Sequence, residues 1–367
     1  MIYFIGVLSY PENEDPTILF QQMKLVNYSW LLARYESLPQ QVPSWTGYNI
    51  RIRSNECTVL NSIGYLDCID LPASEMSTIY EVLRRSVQIK ERLNLKYIVC
   101  VFDQAIYAKA TEIKWKLKKE FEDCILVMGI FHTLMMFLGI IGKRFGDAGL
   151  KDVLVQSSVL AEGSAEKALQ GKMYNRAVRC YKLTYEAFNR LLLRKAKEWF
   201  AESDSRKVVL EKAIHDIRNL TDDLCQDSFD KVIAAGSLNE FVKLFNQFVS
   251  CQVNGDLSTF WLSFLEMVEV LLATIHSTRS GNWFLHIECL RSIIPWAFAY
   301  DRQNYSRYMT AYIGEMLNLQ ESHPEAYNEF VKGNFSVQLK SGNTFGRNEP
   351  DKIIENTVNK DSKVAGI

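Results

Sequence analysis

The chain has 367 residues, 48% of them hydrophobic and 23% charged, and a formal net charge of −1. That length suits two or three ordinary domains, and the composition excludes a disordered chain. A protein that is not basic overall can meet nucleic acid only through a local patch.

MIYFIGVLSY (1–10) has no basic start and no small-residue cleavage site, so it reads as a strand, not a signal peptide. PENEDP is a turn. In TILFQQMKLVNYSWLLARYESL (17–38), Ile18, Phe20, Met23, Leu25, Tyr28, Leu31 and Leu32 fall at near-helical spacing and predict a helix. QQVPSWTG reads as a loop, and NIRIR and TVLNSIGYLDCI alternate or run apolar like sheet strands. SEMSTIYEVLRRSVQIKERLN is an amphipathic helix, with Ser74 and Glu75 suited to its capped start. The run LKYIVCVF predicts a strand that ends at Asp103. A helix through AIYAKATEIKWKLKKEF and a short strand, CILVMG, follow.

FHTLMMFLGIIG (131–142) is the greasiest stretch. It is too short for a bilayer, which needs about 20 apolar residues, and predicts a buried core helix with no membrane partner. From about 150 to 320 glycine and proline thin out and helical periodicity dominates. YNRAVRCYKLTYEAFNRLLLRKAKEWF, TFWLSFLEMVEVLLATIH and the segment from Trp283 to Leu317 read as long helices, the last kinked or broken near Pro295. The polar tail from 333 carries one strand-like piece and a short helix around 351–359. No repeat of solenoid period is present.

Eight cysteines, at 57, 68, 100, 124, 180, 225, 251 and 289, form no CxxC pair. They argue against a zinc site or disulfide framework and for reduced thiols in an intracellular protein. GSAEKALQGK lacks the glycine spacing and the GK[ST] ending of a phosphate loop.

Asp103 closes a buried strand. There it either caps the following helix or serves as a carboxylate ligand for Mg²⁺ or Mn²⁺, and a two-metal centre needs about three such acids. His132, beyond the next strand, fits a satisfied core histidine better than a ligand, although adjacent strands can bring it near Asp103. Lys172, Arg176, Arg179 and Lys182 recur at three- and four-residue steps on one helical face, roughly continued by Arg190, Arg194 and Lys197. Such a stripe either binds phosphates or is a solvated face, and spacing alone does not choose.

Several stretches resemble a large eukaryotic family of transposon-related proteins. They are VPSWTGYN (42–49), FDQAIYAKATEIKW (102–115), FHTLMMFLGIIGKRFGDAGL (131–150), EGSAEKALQGKMYNRAVRCYKLTYEAFNRL (162–191), GNWFLHIECLRSIIPWAFAYDRQNYSRY (281–308) and NTFGRNEPDKIIENTVNKDSK (343–363). The layout is similar to that of DDE-type transposases, and the resemblance implies an α+β fold: a partial RNase H-like α/β core (1–149), a mainly helical insertion (150–332) and a return segment with a late helix (333–367). It further implies Asp103 as second acid and Glu355 as third, holding Mg²⁺ or Mn²⁺ for attack on a phosphodiester of DNA, in an intracellular or nuclear setting.

Relatives carry an earlier acid-bearing strand, which MIYFIGVLSY does not supply, and Ile130 and Asp351–Lys352 depart from the family pattern. NKDSKVAGI also stops where relatives run on. The expectation is a chain truncated at both ends and catalytically incomplete. The alternative is a non-enzymatic nucleic-acid- or protein-interaction module working through the basic stripe. A third arrangement, with Asp67 or Asp70 replacing the missing acid, fits less well because YLDCIDLP reads as a strand entering a loop.

Overall fold

The computed structural model describes residues 15–36, 41–53, 60–64, 66, 69–253, 255–340 and 342–356. Helices α1 (Pro16–Glu36), α2 (Trp45–Arg51) and α3 (Met76–Arg92) come first. A β–α–β segment follows: β1 (Ile98–Phe102), α4 (Gln104–Lys116) and β2 (Cys124–Met128). Next are α5 (Ile130–Phe145), α6 (Lys151–Gln156), α7 (Glu162–Leu169) and α8 (Tyr174–Ala201). The chain continues through α9 (Asp204–Asp222), α10 (Gln226–Ala235), α11 (Ser237–Cys251) and α12 (Asp256–Ser280). Last are α13 (Trp283–Ala299), α14 (Gln303–Leu317), α15 (Leu319–Ser322), α16 (Pro324–Glu329) and α17 (Pro350–Asn356). Among the described residues the protein is mostly helical with a small parallel two-stranded sheet, an α+β architecture.

Two compact units divide the chain, one of residues 1–54 and 182–269, the other of residues 55–181 and 270–367. Divisions drawn at 149/150 and 332/333 both fall inside the second unit. The reason is packing: α7, α13 and α17 all lie against α5. Gly142 makes the α5–α7 approach possible, since any Cβ there would collide with the Leu169 carbonyl.

In the first unit α2 replaces the strand that the alternation in NIRIR suggests. Trp45, Tyr48, Asn49 and Ile52 are buried, at i, i+3, i+4 and i+7, so a helical period outweighs the local alternation. Trp45 Nε1 donates to Asn27 Oδ1 at 2.8 Å, and the Tyr48 hydroxyl donates to Ser29 Oγ at 2.9 Å, fixing α2 to α1. Phe200 of α8 stacks on Phe241 of α11 with ring centroids 5.6 Å apart.

In the second unit β1 and β2 pair in parallel, Ile98 opposite Cys124 through Phe102 opposite Met128. β2 is buried along its whole length, while β1 is half-buried. Helices α3 and α4 pack on these strands. The start of α3 differs from expectation: Glu75 occupies the N-cap, and its side chain makes no capping bond. No strand occurs at 60–64; instead the Asn61 side chain accepts from Gln338 N at 2.8 Å, and Asn61 N donates to Gln338 O. MIYFIGVLSY and Asp67 lie outside the described residues, and Asp70 is exposed in a loop.

Helix α13 runs through Pro295 and ends at Ala299, with Asp301 at φ 55° before α14 begins. Pro295 is exposed, so its ring sits on the solvent side of a helix that runs on past it. The expected break therefore falls at the 300–302 turn. α12 is long and apolar enough, by length and composition, to cross a membrane, yet its Phe264, Val268, Leu271 and Leu272 are buried in the protein. The strand-like tail piece reduces to one antiparallel bridge, Val337 with Asn348, and it delivers α17 to the sheet ends.

Candidate functional site

Both strands of the sheet release the chain at the same end, where Gly129 N donates to Phe102 O at 2.7 Å. In parallel sheets this C-terminal edge is where ligand-binding groups gather, because the following loops and helix starts converge there. Asp103 follows β1 and His132 sits in the first turn of α5, after β2. They arrive as neighbours, as adjacency of the two strands allows.

Asp103 caps α4. Its Oδ1 accepts from Ile106 N at 2.9 Å, so the carboxylate satisfies one of the orphan donors of the helix start. α5 has no such cap of its own, since Gly129 stands at its N-cap. Asp351, from α17, takes that role across 220 residues of sequence. Its Oδ1 accepts from Phe131 N and its Oδ2 from His132 N, both at 3.2 Å. The same Oδ2 lies 3.1 Å from His132 Nδ1. Asp351 is buried, and a Cβ on Gly129 would strike this carboxylate and force it to shift.

The Asp351 hydrogen bond holds the His132 imidazole above its ordinary value, against partial burial, and Asp103 and Glu355 add to the effect through space. Tyr305 completes the group, its hydroxyl donating to His132 O at 3.3 Å. Burial, with Asp103 and Asp351 nearby, pushes that phenol upward. A different histidine of the same unit, His286, shows the opposite behaviour. Buried against Trp283 and Phe335, it is pushed down to about 3 by desolvation.

Glu355 does not join Asp351 on His132. It lines a neighbouring cleft of about 410 Å³ with His132, Met135, Lys172, Arg176 and Lys352. Lys352 lies over the Tyr174 ring, 4.6 Å from its centroid, and pairs with the buried Glu349 at 3.1 Å. Among the described residues, no carboxylate lies within ion-pair reach of Lys172 or Arg176.

The basic stripe thus divides. Lys172 and Arg176 line the cleft, and Arg179 is exposed one turn further on. Lys182 is half-buried, 3.4 Å from Thr46 Oγ1 and over the Trp45 ring. Arg190 and Lys197 are held by Glu186 and Glu36.

Asp103 and Asp351 give oxygens to backbone N–H groups and to an imidazole. Among the described residues no three His, Cys, Asp or Glu side chains are grouped to hold a metal ion. The donor set therefore does not fit an Mg²⁺ or Mn²⁺ centre, which needs several oxygens around one point. Asp351 and Tyr305 were not singled out as site residues by sequence reasoning. Pro350 and Asp351 do mark a helix start, but nothing local names the distant helix whose N-terminus that carboxylate meets.

Residues 44–367 match the model of a family described as a domain of unknown function (DUF8702). No curated protein and no solved structure matches the chain.

Proposed function

The chain belongs to the DUF8702 family, and we propose that it is a transposase-related nucleic-acid-binding protein that holds phosphodiesters without cleaving them. One observation carries this reading: Lys172 and Arg176, without a carboxylate partner among the described residues, line a cleft beside a His132 whose imidazole is biased toward its charged form. Cations that no described carboxylate pairs with are available to phosphate oxygens, and releasing counterions from a phosphate backbone supplies the affinity.

An RNase H-like ancestry is supported by the order of parts. An acid follows β1, the parallel β2 lies beside it, and a late acidic helix returns to the same strand ends. In this reading Asp103 and Asp351 have become helix caps, and a cleft remains in which Lys172, Arg176 and Lys352 outnumber the single acid Glu355. Such a protein works where DNA is, in an intracellular or nuclear setting.

The test is fluorescence anisotropy with labelled DNA at several salt concentrations. Binding should weaken steeply with salt, and K172A/R176A should lose about tenfold or more in affinity with the melting temperature unchanged. Absence of binding at low salt would sink the proposal. Mg²⁺-stimulated DNA cleavage that disappears in Asp103→Asn would replace it with an enzymatic one.

A further inference from the structure

A second cleft, of about 530 Å³, adjoins the first, and Lys172 lines both. Its walls come from α5, from the end of α7 and from Arg302 before α14, with Lys143 and Arg302 contributing charge. Lys151 also lines it and pairs with Glu166 at 3.6 Å, while Asp147 lies on the rim. Neither Lys143 nor Arg302 has a carboxylate within ion-pair reach among the described residues. Arg176, Lys172, Lys143 and Arg302 therefore form a run of four cations over two contiguous clefts, in a protein whose net charge is −1.

Resting on the nucleic-acid reading above, we infer that the ligand is a single strand several nucleotides long, whose backbone runs from the His132 cleft over Lys172 into the Lys143–Arg302 cleft. A mononucleotide would use one cleft and leave the other pair of cations unmatched. Clefts of this size take groups of nucleotide dimensions. Single strands are bound without sequence preference by grooves whose cations follow the backbone and whose aromatic rings stack on bases, and Phe131 and Tyr174 line the first cleft. A duplex spreads its phosphates around a wide cylinder and would present only one row to the rims.

The experiment uses the full chain with labelled single-stranded DNA of 4 and 12 nucleotides, and a 12-base-pair duplex. The 12-mer should bind at least tenfold tighter than the 4-mer and tighter than the duplex. K143A/R302A should lose about tenfold on the 12-mer and less than threefold on the 4-mer. Its salt slope should fall by about 1.4, at roughly 0.7 for each phosphate that is no longer neutralised. K143A alone, at the far wall, should show part of the same weakening and guards against a folding defect in the double variant.

Equal affinity for the two lengths, or tighter binding of the duplex, overturns the single-strand track. So does a K143A/R302A variant that binds the 12-mer like the parent. If K172A/R176A still weakens binding about tenfold or more in those cases, the nucleic-acid reading stands while the track falls. If no DNA binds at low salt, both fall together.

Discussion

The two ends of the basic stripe share a sequence pattern and differ in what surrounds them. At the end near residue 172, Lys172 and Arg176 line a cleft, with no carboxylate partner among the described residues. At the other end, Arg190 pairs with Glu186 at 3.0 Å and donates to Arg34 O, and Lys197 pairs with Glu36 at 2.7 Å over the Tyr35 ring. Spacing along a helix shows only that cations share a face. Whether they serve a ligand or the fold depends on which carboxylates the rest of the chain brings to them.

The strongest way to break this contrast is Glu186→Ala. Glu186 is buried between Arg34, at 2.9 Å, and Arg190. Its removal takes their shared carboxylate from two partly buried guanidinium groups and should destabilise the protein by about 3 kcal/mol in urea unfolding. DNA affinity should hardly move under folded conditions. A drop in DNA binding there would mean that the two ends act together.

Smaller is the effect of K172A/R176A, expected at about 1.4 kcal/mol or more in binding, a factor of ten. Its stability should lie within about 0.5 kcal/mol of the parent, since exposed surface cations contribute little to folding. A large drop in stability would place these residues with the structural half of the stripe.

A few-fold effect is expected from pH. The folded His132 value is raised, chiefly by Asp351, so the imidazole keeps its proton above the ordinary range. The stability contributed by the His132–Asp351 interaction is therefore fully present below the unfolded value near 6.5 and disappears as pH rises through the folded value. DNA affinity should fall over the same rise, and His132→Gln should flatten that step. A parent profile as flat as the variant's would remove His132 from the cationic surface.

Lys182→Ala should give the smallest change, about 0.5–1 kcal/mol of stability once the ammonium no longer lies over the Trp45 ring, and no change in DNA affinity. A weakening of binding as large as that of K172A/R176A would restore the stripe as one continuous surface.

Much of the fold was legible because period and burial agree locally. The run IVCVF and the acid after it gave β1 and the start of α4, and CILVM followed by FHTLMMFLGIIG gave β2 and α5. NIRIR misled because two isoleucines alternate with arginines, while the burial of α2 depends on Trp45 and Tyr48 just upstream. For Asp103, both a capping role and a place beside His132 could be anticipated, since a strand end sets position and a carboxylate there finds the next helix's N–H groups.

The sequence by itself determined the local parts: helices from apolar period, two strands from β-branched runs, and a cap where an acid precedes a helix. Only the tertiary structure decided that Asp351, not Glu355, meets His132, and that Lys172 lines clefts while Lys197 meets Glu36. Asp351 and His132 lie 219 residues apart in the chain. A side chain's local spacing fixes the direction it faces, whereas its charge acquires a role from whatever group the folded chain places within a few ångströms.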